Sequence, residues 1–344
     1  MDGTETASGE RREPRLLSVV APMFNEIELL RAFYERVVAA AGSAPIELVI
    51  SDNASTDGTS EALDLLAAED SRVKVVHLAR NFGHQASLTA ALEHAAGDVV
   101  VMIDGDLQDP PELIATMLDH WSSGADVVYA VREERHGETR FKRGTARLFY
   151  WVFEKLSSVD LHRNSGDFRL LDRAALDALL QMPERNRFLR GMTSWLGFKQ
   201  VGVSYRREPR SAGETKYGLR NLIRFSIDAI VSFSHRPLQL ATVTGFAVSA
   251  IAFLGIPIAI GLKIAGQFVP GITSVLLAVL LLGGIQLITV GIIGEYLGRV
   301  YDEVKQRPLY VVRKRVNVGG PIRHSRPFED HPQAMQPDPA RGRR

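Results

Sequence analysis

The chain has no cysteine, which excludes a disulfide framework, thiolate catalysis and any zinc site built on cysteine. A reducing compartment fits that absence. Charge is missing locally: Pro237 to Leu262 and Gly271 to Gly294 contain no Asp, Glu, Lys or Arg. Each is longer than the roughly 20 apolar residues that cross a bilayer, and both lie too far from the N-terminus to be a signal peptide. No GxGxxG follows the first apolar run, where APMFNEIE stands instead, and a dinucleotide-binding oxidoreductase is thereby disfavoured. No internal repeat is visible.

The 344 residues allow one large domain or two smaller ones, and 45% hydrophobic content is ordinary for a globular protein. The net charge of +1 says less than the placement of the basic residues. Arg220, Arg224, His235 and Arg236 precede the first charge-free stretch. Arg299, Lys305, Arg307, Arg313, Lys314 and Arg315 follow the second, and the connection from Lys263 to Pro270 carries one Lys. By the positive-inside rule both chain ends face the cytoplasm. The expected organisation is a polar N-terminus over 1–14, a catalytic domain over 15–210, and a juxtamembrane segment over 211–236. Membrane helices over 237–262 and 271–294 follow, with a cytoplasmic tail over 295–344. A multi-pass protein of the plasma or inner membrane is expected, with no nucleic-acid partner.

Within the large domain, LLSVVAPMF, IELVISDN, VKVVHLAR, DVVVMIDGD and ADVVYAVR are β-branched runs close to turns. Glu26 to Ala41, Thr59 to Glu69, Gln85 to Ala96 and Pro110 to Ser123 carry helical spacing between them. Strands alternating with helices predict an α/β fold with a mainly parallel sheet covered on both faces. Ligands of such sheets bind at the carboxyl ends of the strands. NE at 25 and 26, SDNASTDGT, RNFGHQ and DGDLQD all follow strand runs at that end, so four loops converge on one rim. A further stretch, FKRGTARLFYWVFEKL over 141–156, has a basic start and an aromatic remainder. It suits a helix in the membrane interface, or an ordinary core helix.

Asp104 and Asp106 share a parity in DGDLQD, so an extended backbone points both to one side with Gln108 next in line. Hard cations such as Mg²⁺ take one or two carboxylates plus substrate phosphates, which gives these residues a metal-binding reading. Asp109, before two prolines, reads as the cap of the next helix. In SDNASTDGT, Asp57 with Gly58 reads as turn chemistry, whereas Asp52 ends a strand and could accept hydrogen bonds from a base or ribose.

VVAPMFNE, DNASTDGT, RNFGHQ, DGDLQDPPE and SGDFRLLDR, followed by GETKYG and two apolar spans, resemble the family 2 glycosyltransferases of GT-A fold that act on polyprenyl phosphates. The resemblance runs from about Leu17 to Tyr310. It departs from the family pattern where DNASTDGT replaces DDGSTDGT and DGDLQ replaces DADLQ. It implies a GT-A nucleotide-sugar-binding domain with interfacial helices and two transmembrane helices. Pro22, Phe24, Glu26, Asp52, Asp104 and Gly105 would bind the nucleotide-sugar. Asp104, Asp106 and Gln108 would hold Mg²⁺ or Mn²⁺. Asp167, Arg132 and Asp106 would be catalytic, while Arg132, Arg169 and Lys216 would hold the acceptor phosphate.

The resemblance further implies transfer of one sugar to undecaprenyl or decaprenyl phosphate with inversion, UDP-glucose being the first donor choice and GDP-mannose the second. A homo-oligomer is expected, with a separate flippase and a downstream glycosyltransferase as functional partners in the cell envelope. Two rivals stand beside this reading. A neutral lipid or polysaccharide acceptor would require a general base, and a nucleotide-sensing membrane scaffold would require none of the acidic cluster.

Overall fold

The apolar runs form strands because their residues are buried on both sides of a covered sheet. A computed structural model describes residues 12–133, 165–206, 236–265 and 271–319. It contains β1 (Leu17–Met23), β2 (Ile46–Asp52), β3 (Val73–Leu78), β4 (Val99–Met102) and β5 (Val127–Arg132). Between them run α1 (Ile27–Ala40), α2 (Thr59–Glu69), α3 (His84–Glu93) and α4 (Leu113–Ser122). Strand parity divides the core into two faces. Leu17, Val19, Ala21 and Met23 pack with Phe33, Leu63 and Met117, while Val20, Val49 and Val100 pack with Leu88 and Leu92 of α3.

Three further strands complete the sheet: β6 (Ser165–Asp172), β7 (Gln200–Tyr205) and β8 (Val312–Val316). Helices α5 (Arg173–Gln181) and α6 (Leu189–Trp195) lie between β6 and β7. The strand order is β7-β5-β6-β4-β1-β2-β3-β8. The centre, β4-β1-β2-β3, is parallel as expected. β6 is antiparallel to both β4 and β5, and β8 is antiparallel to β3. The sheet is therefore mixed and mostly parallel. Met102 of β4 pairs with Arg169 of β6, which runs antiparallel to it; Asp104, two residues after Met102, and Asp167, two residues before Arg169, therefore lie towards the same end of the sheet.

The two charge-free stretches lie within α7 (Arg236–Ile264) and α8 (Ile272–Lys305), which continues well past Gly294. Among the described residues, Leu281–Lys305 is long and apolar enough to cross a membrane by length and composition, and none of it is buried within the protein. Ala241–Gly255 is a shorter apolar stretch, so among the described residues the first expected span, 237–262, does not reach that measure. After α8 the chain returns to the large domain. Arg185 N–H donates to Glu303 Oε1 at 2.8 Å, and β8 extends the sheet from within the segment read as a tail. The 141–156 segment, Lys216 and nearly all of 211–236 lie outside the described residues.

Candidate active site

The rim starts at β1. Pro22 is buried in that strand, where pairing with β4 has already ended at Val20, so its missing N–H breaks no ladder. Phe24 follows, 43% exposed, and Glu26 N–H donates to the Thr59 hydroxyl at 3.1 Å. Asp57 accepts from Thr59 N–H at 3.0 Å and from Ile27 N–H at 3.2 Å, joining the starts of α1 and α2.

Asp52 is 1% exposed and fully engaged. Ser55 N–H donates to it at 3.0 Å, the Ser60 hydroxyl at 2.5 Å, and His77 Nδ1 lies 2.8 Å away. Burial pushes the carboxyl up, but the bonds from His77, Ser60 and Ser55 outweigh it and hold Asp52 at about 2. The other nitrogen of His77 lies 3.1 Å from Asp64. An imidazole can donate to two carboxylates only when protonated. Burial opposes that charge, yet Asp52 and Asp64 raise the His77 pKa above its ordinary value. Asp52 therefore braces the 53–58 loop from behind.

Asn53 explains one departure from the family pattern. Its Nδ2 donates to Asn81 Oδ1 at 3.1 Å while its Oδ1 accepts from Phe82 N–H at 2.9 Å. A carboxylate at this position could not donate, so the amide sets the RNFGHQ loop that leads into α3.

That loop delivers His84, the centre of the acidic cluster. His84 Nε2 lies 3.4 Å from Asp104 Oδ1 and 3.5 Å from Asp167 Oδ2. Burial works against protonation, but Asp167, Asp104 and Asp106 raise His84 to about 9. Asp104 is pushed up to about 6, first by burial and then by Asp167, Asp106 and Asp109, against the pull of His84. Asp167 is held well below the usual carboxylate range: its burial is outweighed by His84, Arg190 and Arg169.

Asp106 Oδ1 accepts from Gln108 N–H at 3.1 Å, a tight turn that places Leu107 at φ 54°. A Cβ on Gly105 would come 3.0 Å from Met23 Cγ, so glycine lets the loop lie close on β1. No group of three His, Asp or Glu residues that could hold a metal occurs among the described residues. The donor set is still chemically apt: two carboxylates and an amide oxygen suit a hard cation that takes its remaining ligands from a diphosphate and water.

Asp109 does not cap α4, which begins four residues later at Leu113 without a side-chain cap. Its carboxylate is buried and accepts from the Tyr205 hydroxyl and, at 3.4 Å, from Arg132 Nη2. Arg132 Nε also donates to Tyr205 at 3.0 Å. The guanidinium lies over Gly166, where a Cβ would stand 2.8 Å from Nη2. Although burial disfavours its charge, Asp109 and Tyr205 raise the Arg132 pKa.

Arg169, expected beside the acceptor phosphate, is 0% exposed. It donates to the carbonyls of Gly166 and Arg190 and to the Ser165 hydroxyl, and burial lowers its pKa to about 10. Its guanidinium is fully enclosed by protein, against the expected place beside an acceptor phosphate. The more accessible cation beside Asp167 is Arg190, with Nε 3.8 Å from Oδ1. No motif in the sequence points to Arg190. His84 and Gln85 stood within RNFGHQ, but their side-chain roles depended on a strand, β6, that comes 80 residues later.

Residues 18–180 match the family described as Glycosyl transferase family 2. The uncharacterized glycosyltransferase YkcC of Bacillus subtilis (strain 168) is 43% identical over 304 residues, 88% of this chain and 94% of that protein. The prophage bactoprenol glucosyl transferase homolog of Escherichia coli (strain K12) is 40% identical over 301 residues, 87% and 98% of the two chains. The solved mannosyltransferase PcManGT from Pyrobaculum calidifontis, in complex with GDP-Man and Mn²⁺, is 15% identical at a TM-score of 0.40, covering 86% of this chain and 87% of that one. The chain belongs to glycosyl transferase family 2 and is a glycosyltransferase with an α/β fold.

Proposed function

We propose that this glycosyltransferase moves one sugar from a nucleotide-sugar, UDP-glucose first and GDP-mannose second, to a polyprenyl phosphate at the cytoplasmic face of the membrane. The observation that carries the reading is the state of Asp167. It is enclosed by Gln85, His84 and Arg190 and held as an anion, which makes it a poor proton acceptor. A hydroxyl acceptor needs a general base; a phosphate monoester, with a second pKa of about 6, does not. The name bactoprenol glucosyl transferase, borne by relatives 40% identical, supports the same acceptor class.

The lipid phosphate oxygen bonds to C1 as the bond from C1 to the donor diphosphate breaks, which inverts the anomeric centre. The nucleoside diphosphate leaves with the bonding pair. Arg132 and Arg190 can bind and orient anionic groups at the rim, and His84 offsets the carboxylates that surround it. Asp104, Asp106 and Gln108 would hold Mg²⁺ or Mn²⁺, which when bound stabilises charge on the departing diphosphate. Lys216 of GETKYG is proposed as a further phosphate-binding cation.

Two membrane helices, α7 and α8, complete the reading. Each CH₂ withdrawn from a bilayer costs about 0.8 kcal/mol, so a polyprenyl tail stays in the membrane and the active site must come to it. The unburied apolar surface of α8 supports this arrangement. Homo-oligomer formation, a flippase and a downstream transferase belong to the same proposal. The test is a donor panel on purified full-length protein with polyprenyl phosphate or neutral lipid acceptors, followed by mass spectrometry of the lipid product. Transfer only to neutral lipid would overturn the reading.

A further inference from the structure

Gln85 lies in the first turn of α3, and its side-chain amide faces two ways. Leu189 N–H donates to Oε1 at 2.9 Å, while Nε2 donates to Asp167 Oδ2 at 3.0 Å. A backbone N–H can only donate, so it fixes the amide oxygen on its own side and turns the NH₂ towards Asp167. One side chain thus joins the rim carboxylate of β6 to the start of α6.

The other side of Asp167 is loosely held. Among the described residues, Oδ1 and Arg190 Nε are both buried without a hydrogen-bond partner, separated by 3.8 Å. His84 stands 3.5 Å from Oδ2, beyond the 2.7–3.2 Å range of a good N–H···O bond. The bond from Gln85 is therefore the short one that sets the rotation of the carboxylate. Through the Leu189 N–H it also ties Asp167 to the start of α6, the turn that carries Arg190, whose Nη1 donates to the Ser165 carbonyl at 2.6 Å.

Resting on the transfer reaction proposed above, we propose that Gln85 is a positioning residue that orients Asp167 and Arg190 as a unit. It acts through them and needs no contact with substrate. Glutamate at 85 keeps the length but cannot donate when ionised, and it sets a second carboxylate against Asp167. The loss should fall on turnover, because misplacing a reacting group by about 1 Å can cost 100-fold in rate.

The experiment is a double-mutant cycle on full-length protein in detergent, with polyprenyl phosphate and UDP-glucose, or GDP-mannose where that donor gives product. Gln85→Glu is expected to lower kcat at least about tenfold while the donor KM stays within about threefold. In an Asp167→Asn background the same change is expected to alter kcat by less than about threefold, since the residue it acts through is already altered. If Gln85→Glu does not fold, Gln85→Met takes its place with the same expectations. Equal losses in both backgrounds, or wild-type kcat in the Gln85 variant, overturn the positioning role alone. Wild-type kcat in Asp167→Asn overturns the reading of Asp167 and this one with it.

Discussion

Lys314 Nζ stands 2.7 Å from Asp64 Oδ2, across 250 residues of sequence. The contact starts a polar chain that runs from β8 through Asp64 and His77 to Asp52 at the end of β2. The strand that follows the last apolar helix is thereby tied to the loop expected to receive the donor. β8 also covers β3, whose Val75, Val76 and Leu78 are buried, so the sheet edge at β3 is protected by pairing.

Asn317 pins the end of that strand and gives the first prediction. Its Nδ2 donates to the carbonyls of Ala67 and Val73 at 2.6 and 3.0 Å, and its backbone is left-handed at φ 56°. Asn tolerates that conformation better than Ala does. Asn317→Ala is expected to destabilise the large domain by about 1–3 kcal/mol, measured as a lower thermal midpoint in detergent. An unchanged midpoint would show that β8 does not stabilise the domain.

The Asp52–His77 pair predicts a pH dependence of stability. The carboxyl pKa falls from 3.8 unfolded to about 2 folded, so between those values the unfolded chain binds more protons and stability rises with pH. This contribution, about 2 kcal/mol for a group so buried, is complete above pH 4 and lost as pH falls towards 2. His77 has the opposite sign: its pKa is raised, so its contribution is present below its unfolded value near 6.5 and declines as pH rises through the folded value. Unfolding midpoints measured across pH should fall at both ends, and Asp52→Asn should flatten the acid limb. An acid limb unchanged in that variant counts against the pair.

Tyr205→Phe tests the brace under Arg132. The phenol of Tyr205 is pushed well up, by burial and then by Asp109, so it remains a donor at any working pH. Without it, buried Asp109 loses the Tyr205 hydroxyl bond and keeps the longer 3.4 Å contact with Arg132, and Arg132 Nε loses its acceptor. The expected cost is about 1–3 kcal/mol of stability, together with reduced transfer because the guanidinium is no longer aimed. Thermal unfolding and turnover on the same preparation measure both. Unchanged turnover would separate Arg132 from the reaction.

The parallel centre of the sheet was legible because β1 to β4 are short apolar runs rich in Val and Ile, separated by periodic helices. β6 was not, since Asp167 and Arg169 interrupt its apolar pattern and read as chemistry. β8 was hidden for a similar reason: Arg313, Lys314 and Arg315 satisfy the positive-inside rule equally well as an edge strand or as a tail. The acidic loop could be located, but the burial of Arg169 and the turn of Asp109 towards β7 are tertiary facts. Ala54, which stands where the family pattern has glycine, has a left-handed backbone at φ 60°, the region that glycine enters most readily.

Asp106 and Asp109 lie three residues apart and face different partners, which permits a test of the metal site. Asp109 is bound to Tyr205 and Arg132, whereas Asp106 shares the loop with Gln108 beside the cluster of Asp104 and His84. If Asp106 is a metal ligand, Asp106→Asn should raise the Mg²⁺ or Mn²⁺ concentration needed for half-maximal transfer by at least about tenfold and lower kcat even at saturation. Asp109→Asn should reduce stability while leaving that metal requirement unchanged. A metal titration of transfer for both variants separates the two roles. Full transfer by Asp106→Asn with no metal requirement would remove Asp106 from the site and leave its carboxylate as a turn-forming group for Gln108.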